Sequence, residues 1–276
     1  LSFTAKALQI VIAKISNLVP GGGIWLNTQR PEWNDANNAL AGWGLSVVTL
    51  CYLYRMLSFL IRLYEGAPQT EYEVPKAEAE CFIKLGKLYE EGNSRGIYSA
   101  KERKNFTDAA GLLFEAERNQ LYENGYKEIT LVSQKQIVSI LKAIHFEAER
   151  SIRSNKREDK LYHTYNTMIL SEDGMEINRL QEMLEGQVAV LSSGLLSEEE
   201  TLDVITALEK SRMYEPRQNS FMLYPNKELP LFIKKNTVPE EKVQLLKPLI
   251  QRTKNSVLIQ DEEGFYHFAP EFKNER

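Results

Sequence analysis

Residues 36–64 read "ANNALAGWGLSVVTLCYLYRMLSFLIRLY", and they carry no charge until Arg55 and then Arg62. How this run is read decides the fold. Its first half is apolar on most sides and its second half is amphipathic, so the pattern predicts one long helix that enters a core and then emerges from it. The uncharged part, residues 36–54, is nearly long enough to span a bilayer. Asn37, Asn38, Ser46 and Thr49 dilute its apolarity, and Arg55 follows at once, which favours burial in protein over burial in lipid. No membrane partner is expected.

Working outward, apolar residues recur at three and four positions in segment after segment. The first predicted helix covers about 3–18 and ends at "PGGG" (20–23), where proline and glycines break the pattern. Further helices fit 73–91, 99–123, 134–154, 175–192, 197–212 and 239–252. Ser197 opens one of them with a capping box, Glu200 answering three residues on. The segment "SVLIQDEEGFYHF" (256–268) alternates around an acidic turn with Gly264 and predicts a β-hairpin. Long helices joined by loops of unequal length suggest an all-α protein of helical hairpins packed in a ring or layer. No linker divides the chain, so a single helical domain over 1–276 is expected, helical to 252 with a hairpin tail at 253–270.

The chain has 276 residues, 43% of them hydrophobic, which is enough for a sizeable core. Its 34 basic and 38 acidic side chains give a formal charge of -4, and the basic ones are scattered, so no nucleic-acid footprint is present. Cys51 and Cys81 are isolated, and His145, His163 and His267 lie far apart, so no metal site and no disulfide framework is expected. No cofactor is expected either.

The site-like stretch lies just ahead of and inside the opening run. Trp25, Trp33 and Trp43 all fall within residues 25–43, although they are the chain's 3 tryptophans. Flat aromatic faces suit sugar rings, and Asn27, Gln29, Asn34, Asn37 and Asn38 supply directional partners for hydroxyls. Glu32 and Asp35 beside such a platform match the needs of glycoside cleavage, a proton donor for the leaving oxygen and a second group on the other face. A plainer reading stands beside this one: Asp35 caps the helix that follows, which favours its ionised form, and the tryptophans are core.

"EWNDANNA" (32–39) resembles the "DWNDG" stretch of cellobiose-phosphorylase-type enzymes, which belong to a wider group of glycosidases and phosphorylases built on an (α/α)6 toroid. The resemblance implies Asp35 as general acid and Trp33 in the sugar subsite, with Glu32 replacing the family's first Asp and Ala36 its Gly. "KREDKLYHTYN" (156–166) and residues 184–230 resemble segments of large bacterial proteins grouped with these phosphorylases. Together these likenesses imply the later helices of a larger catalytic toroid, with the rest of a longer polypeptide as partner.

Three further residues enter as candidates. His163, between tyrosines, could meet a sugar hydroxyl or a phosphate, or be structural. Glu185 could serve an inverting hydrolase as general base, where about 6.5–9.5 Å must separate the two carboxyls, or be a solvated helical glutamate. Arg30 could hold inorganic phosphate, the co-substrate of a phosphorylase, which needs no protein base. The substrate expected is an oligosaccharide or glycoside, cleaved by hydrolysis or phosphorolysis, with Trp25, Trp33, Asn34 and Asn37 in the subsite. A cytoplasmic location is favoured. The rival reading is a non-catalytic helical scaffold or a glycan- or partner-binding module.

Overall fold

The computed structural model describes residues 1–27, 40–94, 96–225, 230–252 and 257–270. The chain divides into two compact units, Leu1–Pro225 and Asn226–Arg276. In chain order the first unit holds α1 (Phe3–Ile15), β1 (Leu18–Val19), β2 (Gly23–Trp25), β3 (Gly44–Ser46), α2 (Val47–Gly66), β4 (Glu71–Pro75), α3 (Lys76–Asn93), α4 (Ala100–Asn124) and β5 (Ile129–Ser133). It continues through α5 (Gln134–Arg153), β6 (Tyr165–Leu170), β7 (Met175–Arg179), α6 (Leu184–Ser192), α7 (Glu198–Glu209), β8 (Tyr214–Glu215) and β9 (Ser220–Phe221).

This overturns the all-α, (α/α)6-toroid expectation. The first unit contains a five-stranded antiparallel sheet in the order β1-β2-β3-β6-β7, curled into half a barrel, and two further strand pairs, β4-β5 and β8-β9. The decisive stretch is not one helix. Its described part turns at Gly42, runs through β3 and becomes helical only at Val47. Ser46 is extended (φ −93°, ψ 110°) and caps α2, its Oγ accepting from the Thr49 amide at 3.0 Å. Gly44, Leu45 and Ser46 are all buried, so both faces of this strand are covered and it lacks the alternation by which a strand is recognised.

The same junction recurs. β4 feeds straight into α3 through Pro75, and β5 into α5 through Ser133, whose hydroxyl accepts from the Gln136 amide. Residues 175–192, expected as one helix, are instead β7 followed by α6. α4 starts on a complete capping box made by Ser99 and Glu102.

The main core lies where α2 and α3 pack on α5, with α1 and α4 against α3. Leu8, Ile12, Leu57, Phe82, Tyr89 and Ile144 are fully enclosed there. Burying each such side chain contributes about 1.5–3 kcal/mol before chain entropy is counted. Tyr89 keeps its polar end satisfied, its hydroxyl donating to the Ile15 carbonyl at 2.7 Å. α2 is long and apolar enough to cross a membrane, yet 50% of that window is buried within the protein, and it gives Leu50, Cys51, Leu57 and Tyr64 to this core. Gly23, at φ +135°, lies so near β3 that a Cβ would stand 2.8 Å from the Ser46 carbonyl carbon, so only glycine lets β2 and β3 approach.

The second unit holds α8 (Phe232–Lys235), β10 (Thr237–Val238), α9 (Glu240–Arg252), β11 (Leu258–Gln260) and β12 (Tyr266–Phe268). Its strands form a small antiparallel sheet, β10-β12-β11. Val238, Val243, Ile250 and Leu258 make its own core.

Candidate functional site

Cross-strand partners in an antiparallel sheet share a face. Trp25, Leu45, Asn166 and Arg179 therefore stand in one row across the half-barrel, and Ile24, Ser46 and Tyr165 in the adjacent row on the other face. The second face joins the main core. On the first, Val19, Leu45, Met168 and Met175 form a small apolar cluster against which Trp25 and Ile177 pack.

The stretch that carries the candidate acid, residues 28–39, follows β2 and precedes β3 in the chain. Arg30, Glu32, Trp33, Asn34, Asp35 and Asn37 lie outside the described residues; both stems are well tied. The Leu26 amide donates to the Gly44 carbonyl at 2.8 Å and the Gly42 amide to the Leu26 carbonyl at 2.6 Å. Asn27 Nδ2 reaches Asn17 Oδ1 at 2.5 Å. The half-buried Trp25 spends its indole N–H on the Gly42 carbonyl at 3.0 Å, so it holds the stem. Trp43 is 62% exposed and presents its ring to solvent beside the same stem.

Glu185 and His163 are each fixed beside the entry to β6. Gln187 pairs with the Tyr162 backbone in both directions, accepting from its amide at 2.8 Å and donating to its carbonyl at 2.7 Å, which docks α6 against the entry to β6. A Cβ on Gly186 would lie 2.8 Å from Thr164 Cβ, so the helix start presses directly on that entry. Glu185, in the first turn of α6, then accepts from the Tyr165 hydroxyl at 3.1 Å. His163 Nδ1 lies 2.7 Å from the Leu180 carbonyl. A carbonyl only accepts, so the proton sits on Nδ1 and Nε2 is left as an acceptor. Burial lowers the His163 pKa, with Arg157 and Arg179 adding to the effect, so the ring is neutral at neutral pH. Tyr165 and Trp25 belong to opposite faces, and the sheet does not bring Trp25 together with Glu185.

Four polar residues that the sequence reading passed over fill the space beside the glycine turn. Asn155 is fully buried, and its amide donates to the Ser151 carbonyl at 2.8 Å and the Gly21 carbonyl at 3.3 Å. Its Oδ1 accepts from Asn166 Nδ2 at 2.8 Å and from Arg179. Asn166 Nδ2 also reaches the Gly22 carbonyl at 2.7 Å. Arg103 spans the two edges of the sheet, donating to the Pro20 carbonyl at 2.9 Å and to the Met175 carbonyl at 2.8 Å. The available signal was the alternation in "YNTMIL" and "MEINR" around "SEDG", a hairpin pattern.

A pair of enclosed carboxylates lies elsewhere. Glu78 is fully buried, and burial, with the Glu117 charge, pushes it up to about 8 while the Gln9 amide works against the shift. Glu117 borders a cleft of about 280 Å³ with Tyr126, Gln120 and Lys76. Its own pKa is raised by burial, with Arg118 opposing.

Residues 229–276 match the family model of GH149 phosphorylase insertion domain 2. No curated protein matches the chain. The match covers nearly all of the second unit and relates the chain to glycoside phosphorylases.

Proposed function

We propose that this chain takes part in the phosphorolysis of a glycosidic bond. The observation that carries the reading is the phosphorylase insertion domain at residues 229–276. The stretch at 28–39 supplies the chemistry by composition. In this reading inorganic phosphate attacks the anomeric carbon as the bond to the leaving oxygen breaks. Asp35 transfers its proton to that oxygen, giving a sugar 1-phosphate and a shortened acceptor. Trp25, Trp33, Asn34 and Asn37 line the sugar subsite, Glu32 sets the charge around Asp35, and Arg30 neutralises the attacking anion.

The test is incubation of the chain with a panel of di- and oligosaccharides, with and without inorganic phosphate, scoring sugar 1-phosphate. Phosphate-dependent release is the expected result. Release of reducing sugar at a rate indifferent to phosphate would replace phosphorolysis by hydrolysis. Absence of both products, together with no glycan binding by calorimetry, overturns the reading.

A further inference from the structure

α3 and α4 form an antiparallel hairpin whose register is fixed at two levels. The Tyr89 ring meets the Phe106 ring edge-on, with centroids 5.0 Å apart, and the Cys81 thiol lies 3.6 Å from the Leu113 carbonyl. Residue number rises along α3 as it falls along α4. One turn from Cys81 toward the start of α3, and one turn from Leu113 toward the end of α4, Glu78 and Glu117 therefore reach the same level. A third element closes on this level. Gln9 of α1 donates from Nε2 to the Tyr126 hydroxyl, and Tyr126 lines with Glu117 the cleft of about 280 Å³. Lys76 and Ala77, the two residues before Glu78, line it as well.

Glu78 is fully buried, and neither of its carboxyl oxygens meets a hydrogen-bond partner among the described residues. Glu117 is buried too. The cations nearby are engaged elsewhere or stand in solvent. Arg118 lays its guanidinium over the Phe114 and Tyr122 rings, 5.8 and 6.0 Å from their centroids. Lys76 pairs with Glu128 at 2.8 Å, while Lys84 and Lys127 are exposed. A carboxyl enclosed in this way is unfavourable in both states: ionised, it lacks a counter-charge, and protonated, it leaves a hydroxyl without an acceptor. Burial and the Glu117 charge settle the contest for the proton, raising Glu78 to about 8.

Hard divalent cations take carboxylate oxygens, amide carbonyls and water as ligands. Glu117, Gln120 and Asn124 recur at three and four positions along α4, so carboxylate and amide oxygens share one wall of the cleft, and its open side admits water. We propose that Glu78 and Glu117, with the amide oxygens of Gln120 and Asn124 at the wall of the cleft, bind a hard divalent cation, either calcium or magnesium. No third His, Cys, Asp or Glu side chain among the described residues is placed to share the ion. Neutral oxygens and water then complete the shell, and the affinity falls in the weak range of about 10⁻⁴–10⁻³ M. Binding sends the Glu78 proton to solvent, because only the carboxylate is a ligand. The ion takes no part in the phosphorolysis proposed above, so the two readings stand or fall separately.

The experiment is calorimetric titration of the native chain, freed of metal by a chelator, with calcium chloride and, separately, magnesium chloride, up to about 10 mM and so past that range. It is run at pH 7 in two buffers of different ionisation enthalpy, which reads proton release beside the affinity. Saturable binding is expected, with about one proton released per ion. Glu78→Gln is expected to weaken binding at least about tenfold and to abolish the release, and Glu117→Gln to weaken it by a similar factor. Glu128→Gln, which removes an exposed carboxylate already held by Lys76, is expected to leave both unchanged. Tighter calcium binding assigns the site to calcium, and equal or tighter magnesium binding assigns it to magnesium. No saturable binding of either ion, binding without proton release, native affinity in Glu78→Gln, or an equal loss in Glu128→Gln overturns the proposal. If Glu78→Gln does not fold, Glu117→Gln takes its place, and the native titration alone still decides.

Discussion

Asn166 on β6 donates to Asn155 Oδ1 at 2.8 Å, and this bond ties the half-barrel to the segment just past the end of α5. Asn155 also serves the Ser151 carbonyl, the Gly21 carbonyl and Arg179. Removing its side chain leaves Asn166 and Arg179 without their acceptor in a buried place. Each orphaned buried group costs about 1–3 kcal/mol. Asn155→Ala is therefore expected to lose at least about 2 kcal/mol in urea denaturation. A loss below about 0.5 kcal/mol, the scale of an ordinary surface change, would remove Asn155 from the centre of this network.

The strand-to-helix junction at Ser46 makes a smaller prediction. Its hydroxyl accepts from the Thr49 amide at 3.0 Å and lies 2.9 Å from the Thr49 hydroxyl. Ser46→Ala is expected to cost about 1 kcal/mol, the usual range for an N-cap being roughly 0.5–2 kcal/mol. Ser46→Asp, which restores the acceptor but buries a charge at a residue 1% exposed, should be worse than alanine, the reverse of the order at a solvated cap. Urea midpoints of the two variants check the order.

The helices were legible because they are long and amphipathic: the pattern placed a helix at 99–123 and α4 covers Ala100–Asn124. The sheet was not legible, for a physical reason. β1, β2 and β3 have two or three residues each, and their described faces are largely buried, so no alternation separates them from the helices they adjoin. β6 and β7 do announce themselves through "SEDG", but β3, the strand that β6 pairs with on its other side, is far away in sequence, and pairing across such a gap leaves no local trace. Of the site, the Trp25 environment is not local: its N–H is claimed by Gly42, 17 positions on. Arg103 sits in a charge-rich "KERK" that reads as a solvated face, and only the return of β7 beside α4 turns it inward.

Glu78 gives the chain a pH dependence of definite sign. In the folded state its pKa is raised from 4.5 to about 8, chiefly by burial and then by Glu117 on α4, while Gln9 on α1 opposes the shift. Cys81 on the same helix and Tyr126 beyond α4 feel the same pair of charges. A raised carboxyl contributes stability that is fully present below the unfolded value and is lost as pH rises toward the folded one. Glu78→Gln is neutral throughout and escapes that loss. The melting temperature of the variant relative to the native chain should rise steadily from pH 5 to pH 8. A difference that stays flat over this window would show that Glu78 titrates normally.

Asp35→Asn tests the proton donor. If this carboxyl protonates the leaving oxygen, the amide should lower phosphorolysis by roughly 10²–10⁴-fold while calorimetric binding of the sugar is kept. A substrate whose leaving group needs no proton, such as a glycosyl fluoride, should be spared most of the loss. An Asp35→Asn chain with full activity on an ordinary glycoside would remove Asp35 from the reaction.

Glu185 separates the two ways of breaking the bond. Its carboxylate accepts from the Tyr165 hydroxyl at 3.1 Å, and glutamine keeps an acceptor there, so Glu185→Gln is a mild change structurally. In hydrolysis by inversion a protein carboxylate must take a proton from water, and its loss costs about 10²-fold or more. Phosphate is already an anion and needs no such base. Phosphorolysis by Glu185→Gln is thus expected to stay within about threefold of native, with any change appearing in KM for the sugar and not in kcat. A phosphate-independent hydrolysis whose kcat falls about 10²-fold in Glu185→Gln, with the melting temperature unaltered, would mean that Glu185 does proton transfer and that water, not phosphate, is the nucleophile.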